Sequence, residues 1–382
     1  MDMVAVVFLV GLSVAAFVGF NIGGSSTGVA FGPAVGSDTV SKLWAAGLMS
    51  GFALLGGATV GTNVIRTMGG RIVPATEFTA VTSVGVLFFV GLALLVSNLF
   101  GVPASTSMTA VGAIAGLGVA TDTVRWAVMG RIVSWWLVSP ILAFWLCAII
   151  GRYLYPYVST TLRLESADEG SSTLRERVGT ALVVAIGCYM AFSAGASNVA
   201  NAVAPLVGSG RLGLFQGVLL GGGAIALGAF TIARRTLDTV GNDLTDLPLT
   251  AALIVETVSA TVITLLSAAG IPASLAVSAT MCIVGLGWGR ATRTVTISDT
   301  AADIVAGETP EVAGAGRALA ADEGDRAAAE AVPRIGEQSP DELGAEDLYD
   351  PRTTGRVVLL WMFTPTMSAA ASFLLFRFVL LP

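Results

Sequence analysis

The stretch "GASNVANAVAPLVGS", residues 195–209, decides the fold of this chain. It follows a long apolar run, yet it places Ser197, Asn198 and Asn201 among small residues and carries no charge. Residues 24–37, "GSSTGVAFGPAVGS", end in nearly the same letters. A polar stretch that occurs twice in an apolar chain indicates a duplicated fold with two related polar regions.

Two longer phrases also recur in the same order. "LFGVPASTSMTAVGAIAGLG" at 99–118 matches "AAGIPASLAVSATMCIVGLG" at 268–287. "GRIVSWWLVSP" at 130–140 matches "GRVVLLWMFTP" at 355–365. Three matched phrases in one order predict that the chain consists of two repeats.

The composition is that of an integral membrane protein. Of 382 residues, 54% are hydrophobic and 12% are charged, and the mean hydropathy is +0.81. Soluble domains carry about 25% charged residues. The 46 glycines suit close packing of membrane helices. Three isolated cysteines and no histidine predict small buried thiols, no disulfide and no transition-metal site.

The apolar segments predict an all-α polytopic membrane protein with about 10–12 membrane segments. A bilayer core needs about 20 apolar residues per helix. Segments of that kind fall near 3–22, 40–61, 76–97, 124–150, 178–196, 212–232, 248–269 and 355–380. Shorter segments fall near 24–36, 105–120, 197–209 and 273–288. Because these four concentrate Gly, Pro, Ser and Asn, we expect broken or re-entrant helices there.

The repeats and two polar inserts define the predicted domains. These are repeat A at 1–155, a cytoplasmic linker at 156–176, the first part of repeat B at 177–290, an insert at 291–353 and the last helix of repeat B at 354–382. The insert carries fourteen acidic residues between Asp299 and Asp350, and its composition predicts disorder. If each repeat crosses the membrane five times, most of the arginine-rich loops fall on one side. Such loops favour the cytoplasm, which puts both termini outside the cell. An odd number of crossings also inverts the second repeat relative to the first.

Polar residues near the predicted helix breaks are the candidate site. The first set is Asn21, Ser25, Ser26 and Thr27 with Ser197, Asn198 and Asn201, and the second is Ser105, Thr106 and Ser107 with Ser274 and Ser278. Proline followed by Ser or Thr is a good helix start. Such a start leaves backbone N–H donors and a positive dipole end for an anion. The alternative is that these side chains only join helices, at about 0.6 kcal/mol each.

The phrases "GASNVANA" and "VPASTSMTAVGAIAG" resemble the two signatures of the inorganic phosphate transporter (PiT) family, GANDVANA and PVSTTH. The matches extend over most of both repeats and exclude the acidic insert. The resemblance implies inverted repeats, alternating access and symport of phosphate, commonly with sodium and sometimes with protons. Some relatives move sulfate.

The sequence departs from that family where the family has aspartates. The family's Asn-Asp pair falls on Ser197-Asn198 in repeat B and on Ser25-Ser26 in repeat A. Its later Asn falls on Asn201 and on Val29. The Ser-Thr-Thr-His motif becomes residues 105–108, "STSM", in repeat A and decays to residues 274–277, "SLAV", in repeat B.

The missing aspartates leave the coupling ion open. Oxygens of Ser197, Asn198, Asn201 and Asn21 remain for sodium, although a carboxylate would offset its charge better. Glu256 is the acidic residue well inside an apolar run, which makes it a candidate for proton coupling. Its alternative role is a protonated side chain bonded to a neighbouring helix.

The sequence thus predicts a secondary transporter of inorganic phosphate and not an enzyme, without a cofactor beyond a coupling sodium ion or proton. Ser105, Thr106, Ser107, Ser25, Ser26, Asn201 and Ser274 are the predicted substrate contacts. The expected partners are the oxyanion, the lipids of the cell membrane and, as an open possibility, further copies of the chain; nucleic acid is not expected. The alternatives are a sulfate or other oxyanion permease of the same fold and a non-transporting sensor or scaffold.

Overall fold

The computed structural model describes residues 3–99, 105–162, 174–231, 248–294 and 351–380. These ranges contain α-helices with short 3₁₀ and π segments, and no strand. The α-helices are α1 (Met3–Gly36), α2 (Lys42–Ala58), α3 (Gly61–Met68), α4 (Ala80–Leu99), α5 (Thr106–Ala120), α6 (Trp126–Ile149), α7 (Tyr155–Leu162), α8 (Leu174–Gly208), α9 (Leu214–Thr231), α10 (Leu249–Ala268), α11 (Leu275–Ala291) and α12 (Pro351–Leu375).

The helices have the lengths and the hydropathy of a multi-pass membrane protein. Six of the described helices are long and apolar enough to cross a bilayer. A seventh candidate is the pair α2 and α3, which is bent by 59°. Three shorter apolar helices lie in α4, α5 and α11. The prediction of an all-α polytopic membrane protein is confirmed.

The prediction of broken or re-entrant helices at 24–36 and 197–209 is wrong. The first belongs to α1, a continuous helix of 34 residues, and the second to α8, a continuous helix of 35 residues. Pro33 and Pro205 lie inside these helices but within the last turn or two. Each proline removes one i→i−4 hydrogen bond, and the helix continues past it for three residues, to Gly36 or Gly208.

The glycines in these stretches serve close packing. A Cβ atom added at Gly195 would lie 2.0 Å from the carbonyl oxygen of Ala53 on α2. One added at Gly23 would lie 1.9 Å from the carbonyl oxygen of Ile225 on α9. Small residues let membrane helices approach to backbone contact. The Gly- and Ala-rich composition that suggested helix breaks is therefore a packing surface.

The two halves of the chain pack reciprocally. Helix α1 packs on α9 as α8 packs on α2, and α5 packs on α12 as α11 packs on α6. The contacts match residue by residue along the duplicated phrases: Gly116 meets the carbonyl of Ala369, and its counterpart Gly285 meets the carbonyl of Phe144. Four pairs of helices thus join one repeat to the other.

The first helices of the two repeats, α1 and α8, run antiparallel where they touch. Gly11 near the start of α1 faces Leu206 near the end of α8. Gly187 in the first half of α8 faces Ala30 and Phe31 in the last third of α1. These two helices therefore point in opposite directions where they meet in the core.

The polar parts of the predicted domain map lie mostly outside the described residues. Of the linker 156–176, the structure describes α7 up to Leu162 and the first turn of α8. Of the acidic insert 291–353, it describes 291–294 and 351–353. The cysteines Cys147, Cys188 and Cys282 are buried and free, as expected.

Candidate functional site

The first turn of α5 collects hydrogen-bond donors of the kind that bind anions. Ser105 is the N-cap, and its Oγ accepts a hydrogen bond from the Met108 amide at 3.3 Å. The Ser105 carbonyl accepts from the Thr109 amide at 3.0 Å. The amides of Thr106 and Ser107 are then the first donors without an intrahelical acceptor. Two backbone donors and three hydroxyls therefore gather at one helix end.

Helix α11 starts with the same geometry. Ser274 is its N-cap and accepts from the Val277 amide at 3.3 Å, and its carbonyl accepts from the Ser278 amide at 3.2 Å. The prediction that each Pro-Ala-Ser phrase starts a helix is thus confirmed at both caps. The flanking residues differ, because Leu275 and the alanine after it replace the hydroxyls of α5.

The two helix starts converge at the centre of the protein. Met108 in the first turn of α5 and Val277 in the first turn of α11 belong to one buried cluster with Trp361 and Trp136. Each helix start carries a partial positive charge of about half an elementary charge. Two such ends near one point favour an anion in a region where a full positive charge would be costly to bury.

Ser197 of α8 bridges these two helix starts. Its Oγ lies 3.3 Å from Ser107 Oγ and donates to the carbonyl of Ala273, one residue before the α11 cap, at 2.7 Å. All of these groups are buried. The long helix of repeat B therefore crosses the point where the short helices of both repeats begin.

Asn201 extends the cluster by one turn of α8. Its Nδ2 donates to Ser107 Oγ and to Asn198 Oδ1, both at 3.1 Å. Its Oδ1 is buried without a hydrogen-bond partner among the described residues. A buried acceptor without a donor costs free energy, on the order of 1–3 kcal/mol. This oxygen is therefore available to a cation or to a ligand that carries a proton.

A polar stripe on α8, which the sequence reasoning missed, leads to this cluster. Tyr189, Ser193, Ser197 and Asn201 are spaced by four residues and so share one face. Tyr189 hydrogen-bonds Thr261 at 3.3 Å, and Ser193 donates to the carbonyl of Ala260 at 3.0 Å. The four-residue spacing was visible in the sequence and would have identified the stripe.

The α1 candidates form a weaker set. Asn21 donates to the Phe17 carbonyl at 2.9 Å and Thr27 to the Gly23 carbonyl at 2.7 Å, both within their own helix. Ser26 is half-buried, as is Val29, the counterpart of Asn201. The Ser25 side chain lies outside the described part of the chain. Where they are described, these residues do not reproduce the network around Ser197.

Glu256 does not lie beside the two helix starts. It is on α10, which ends at Ala268 close to the site, and lies twelve residues or about 18 Å before that end. Its side chain is buried, and its Oε1 has no hydrogen-bond partner within the described ranges. One turn further along α10, the Ala260 carbonyl meets Ser193. The first two residues of the polar stripe, Tyr189 and Ser193, thus contact α10 at Thr261 and Ala260, about one turn after Glu256.

A cavity of about 450 Å³ lies nearer the start of α8 and shares Tyr189 with the polar stripe. It is lined by Phe52, Ala185, Cys188, Tyr189 and Phe192. This lining is apolar except for the Tyr189 hydroxyl and the Cys188 thiol. It does not provide the convergent donors that an oxyanion requires.

Comparison with known proteins agrees with this geometry. The model of the phosphate transporter family matches residues 22–372. The chain belongs to this family. The match includes α5, α11 and the polar part of α8, which are the elements that build the central cluster.

The relatives of this chain are named for two different anions, sulfate and phosphate. The sulfate permease CysP of Bacillus subtilis (strain 168) is 34% identical over 275 residues, covering 72% of this chain and 75% of that protein. A Haemophilus influenzae protein, provisionally named a phosphate permease, is 24% identical over 360 residues, covering 72% of this chain and 86% of that protein. A solved structure, a sodium-dependent phosphate transporter, has a TM-score of 0.69 at 18% identity over 97% of this chain and 98% of that one, and so shares the fold.

Proposed function

We propose that this chain is an ion-coupled secondary transporter that imports inorganic phosphate. The observation that carries the proposal is the convergence of two helix starts on Ser107, Ser197 and Asn201. Backbone amides and hydroxyls donate to the oxyanion, and the positive ends of α5 and α11 offset its charge. The proposal includes transport and no catalysis.

The chemistry of Asn201 favours phosphate among tetrahedral anions. Phosphate carries at least one proton near neutral pH, and that proton needs an acceptor in a buried site. The Oδ1 of Asn201 is such an acceptor. Sulfate has no proton to donate, so it would leave this oxygen without a partner.

Sulfate is the second candidate, and two observations favour it. CysP of Bacillus subtilis, at 34% identity, is named a sulfate permease. The central cluster also consists of neutral groups, Ser105, Ser107, Ser197, Asn198 and Asn201, and a site without a carboxylate accepts a fully deprotonated anion without repulsion. Uptake measurements must therefore compare both anions.

We further propose that the two repeats are inverted and that the site alternates between the two sides of the cell membrane. The antiparallel packing of α1 and α8 supports the inversion. The placement of the arginines supports termini that lie outside. A cysteine introduced near the N-terminus of a cysteine-free variant should then react with an impermeant maleimide on intact cells.

Uptake of labelled phosphate into proteoliposomes tests the function, with sodium and proton gradients imposed separately. We expect concentrative phosphate uptake under at least one gradient and weaker uptake of labelled sulfate. Sulfate uptake without phosphate uptake would replace the first candidate by the second. No uptake of either anion under either gradient would overturn the transporter proposal.

Glu256 is the proposed proton carrier, because it is a buried carboxyl one helical turn before Ala260, where α10 contacts the polar stripe. We expect Glu256→Gln to keep the shape of the site but to abolish stimulation of uptake by an inward proton gradient. Initial rates at several external pH values, with the internal pH held constant, measure this. An unchanged pH dependence in the variant would assign coupling to another ion, with sodium at the oxygens of Ser197, Asn198 and Asn201 as the remaining candidate.

The two helix caps allow a matched comparison. Ser105→Ala and Ser274→Ala each remove a cap hydrogen bond of the same length, worth about 1 kcal/mol of stability. We expect the Ser105 variant to raise the phosphate KM by about tenfold and the Ser274 variant by less, because the other hydroxyls cluster at α5. Equal thermal stability combined with equal KM in the two variants would contradict this asymmetry.

A further inference from the structure

The register between α5 and α12 places Trp361 at the first turn of α5. A Cβ added at Gly112 would lie 2.4 Å from the carbonyl oxygen of Pro365, and one added at Gly116 would lie 2.3 Å from that of Ala369. The two helices therefore run in the same direction, in step by four residues. One turn earlier on each helix, Met108 faces Trp361. Both residues belong to the buried cluster that also contains Val277 and Trp136.

The indole N–H of Trp361 is a buried donor without an acceptor. The side chain is 7% exposed, and Nε1 has no hydrogen-bond partner within the described ranges. Buried tryptophan usually finds a partner for its N–H. Because the indole is a donor only, the partner that it lacks must be an acceptor.

Its counterpart in repeat A shows what the same residue does when its acceptor is part of the chain. Trp136 occupies the matching place in the duplicated phrase "GRIVSWWLVSP". Its Nε1 donates to the carbonyl of Pro272 at 2.8 Å, two residues before the α11 cap. Trp136 thus fixes the segment that leads into α11. This is the helix start at which Leu275 and an alanine stand in place of Thr106 and Ser107.

We propose that the indole N–H of Trp361 binds the transported oxyanion as a further neutral donor. The inference rests on the proposed function and adds a residue to that site. Trp361 packs with Met108 in the first turn of α5, the same turn that carries Ser105, Thr106 and Ser107. An oxyanion at this place would supply the acceptor that the indole lacks. Because the indole is neutral, it would bind the anion without a buried positive charge.

The unequal use of the two tryptophans also makes the central region asymmetric. At α11 the indole donor is used within the chain, and at α5 it has no acceptor among the described residues, which do not include 100–104. The hydroxyls show the same asymmetry. Both observations indicate that the anion binds closer to α5 than to α11.

Trp361→Phe tests the proposal, with Trp126→Phe as the control because Trp126 is 71% exposed. Phenylalanine keeps an aromatic ring in the cluster and removes the donor. We expect the Trp361 variant to raise the KM for the transported anion by about tenfold, with Vmax within about twofold of wild type. The control should keep the wild-type KM, and thermal unfolding should show that both variants fold.

A spectroscopic readout separates ligand contact from a structural role. In protein labelled with ¹⁵N-tryptophan, the indole resonance that disappears in Trp361→Phe is assigned to Trp361. Addition of phosphate, or of sulfate if that is the transported anion, should move this resonance and leave that of Trp126 in place.

The outcomes distinguish this inference from the proposed function. If the wild-type protein transports phosphate or sulfate but the Trp361 resonance stays in place and the variant keeps its KM, the inference is overturned and the function stands. If wild-type protein transports neither anion, the proposed function fails and this inference fails with it. A shifted resonance together with a raised KM supports both.

Discussion

Gly228→Ala will strongly destabilise this protein, whereas Gly223→Ala on the same helix will not. A Cβ at position 228 would lie 2.0 Å from the carbonyl oxygen of Phe20, and a Cβ at position 223 meets open space. Backbone cannot rotate away as a side chain can, so α1 and α9 must separate. We expect a loss of about 3 kcal/mol or more, at the upper end of overpacking effects.

The control variant has an expected sign of its own. Alanine is a better helix former than glycine by about 1 kcal/mol, so Gly223→Ala should be neutral or slightly stabilising. Thermal unfolding of purified protein in detergent measures both variants. The repeat counterpart of Gly228 is Gly56, where a Cβ would lie 1.9 Å from the Phe192 carbonyl, and Gly56→Ala should behave like Gly228→Ala. Equal stability of the 223 and 228 variants would refute this account of helix packing.

The duplicated phrases predicted the architecture because they mark packing contacts. Gly116 and Gly285 lie in matched phrases, and each meets a carbonyl at matched places in the Trp–Pro helices. Because each of these glycines packs on a helix of the other repeat, both members of a matched phrase are needed for the same kind of helix contact. The start of each short helix was equally readable, because proline followed by serine is a local signal that needs no knowledge of the rest of the fold.

The continuity of α1 and α8 could not be read in the same way. Glycine weakens a helix when it is exposed, but in a membrane it also permits backbone contact. Which effect dominates depends on whether a neighbouring helix fills the space, as Ala53 does at Gly195. That neighbour lies far away in the sequence, and no local pattern identifies it.

The candidate site was predictable in its residue types and only partly in its assembly. Ser107 and Ser197 are 90 residues apart, and their contact depends on the register between helices of different repeats. Glu256 was readable as a carboxyl within an apolar run. Its position about 18 Å before the end of α10 near the site depends on how the helices assemble.

The structure combines one half-site from each repeat. Repeat A supplies the hydroxyls of residues 105–107, and repeat B supplies Ser197, Asn198 and Asn201. The reciprocal combination would join residues 25–29 with residues 274–276, and there the sequence has valine, leucine and alanine at the matching polar positions. Duplication offers two symmetric combinations, and the second keeps Ser25, Ser26 and Ser274 but has apolar residues at the three other matching positions.

Asn201→Ala should therefore impair transport more than any other single substitution in the cluster. The Asn201 amide donates to Ser107 and Asn198 at once, and its Oδ1 is the acceptor proposed for the phosphate hydroxyl. Alanine removes all three interactions. Because hydrogen bonds to charged partners contribute about 1.5–3 kcal/mol, we expect the phosphate KM to rise by more than about tenfold.

The sulfate KM should rise less, because sulfate does not use the acceptor. Val29→Ala is the matched control, since Val29 is the counterpart of Asn201 in the repeat that lacks the network. It should keep the wild-type KM for both anions, measured by initial uptake rates in proteoliposomes. If Asn201→Ala changes the phosphate KM and the sulfate KM equally, the amide positions Ser107 and Asn198 but does not accept a hydrogen bond from the phosphate hydroxyl. If it changes neither, the anion binds elsewhere, and the half-site of repeat B is structural.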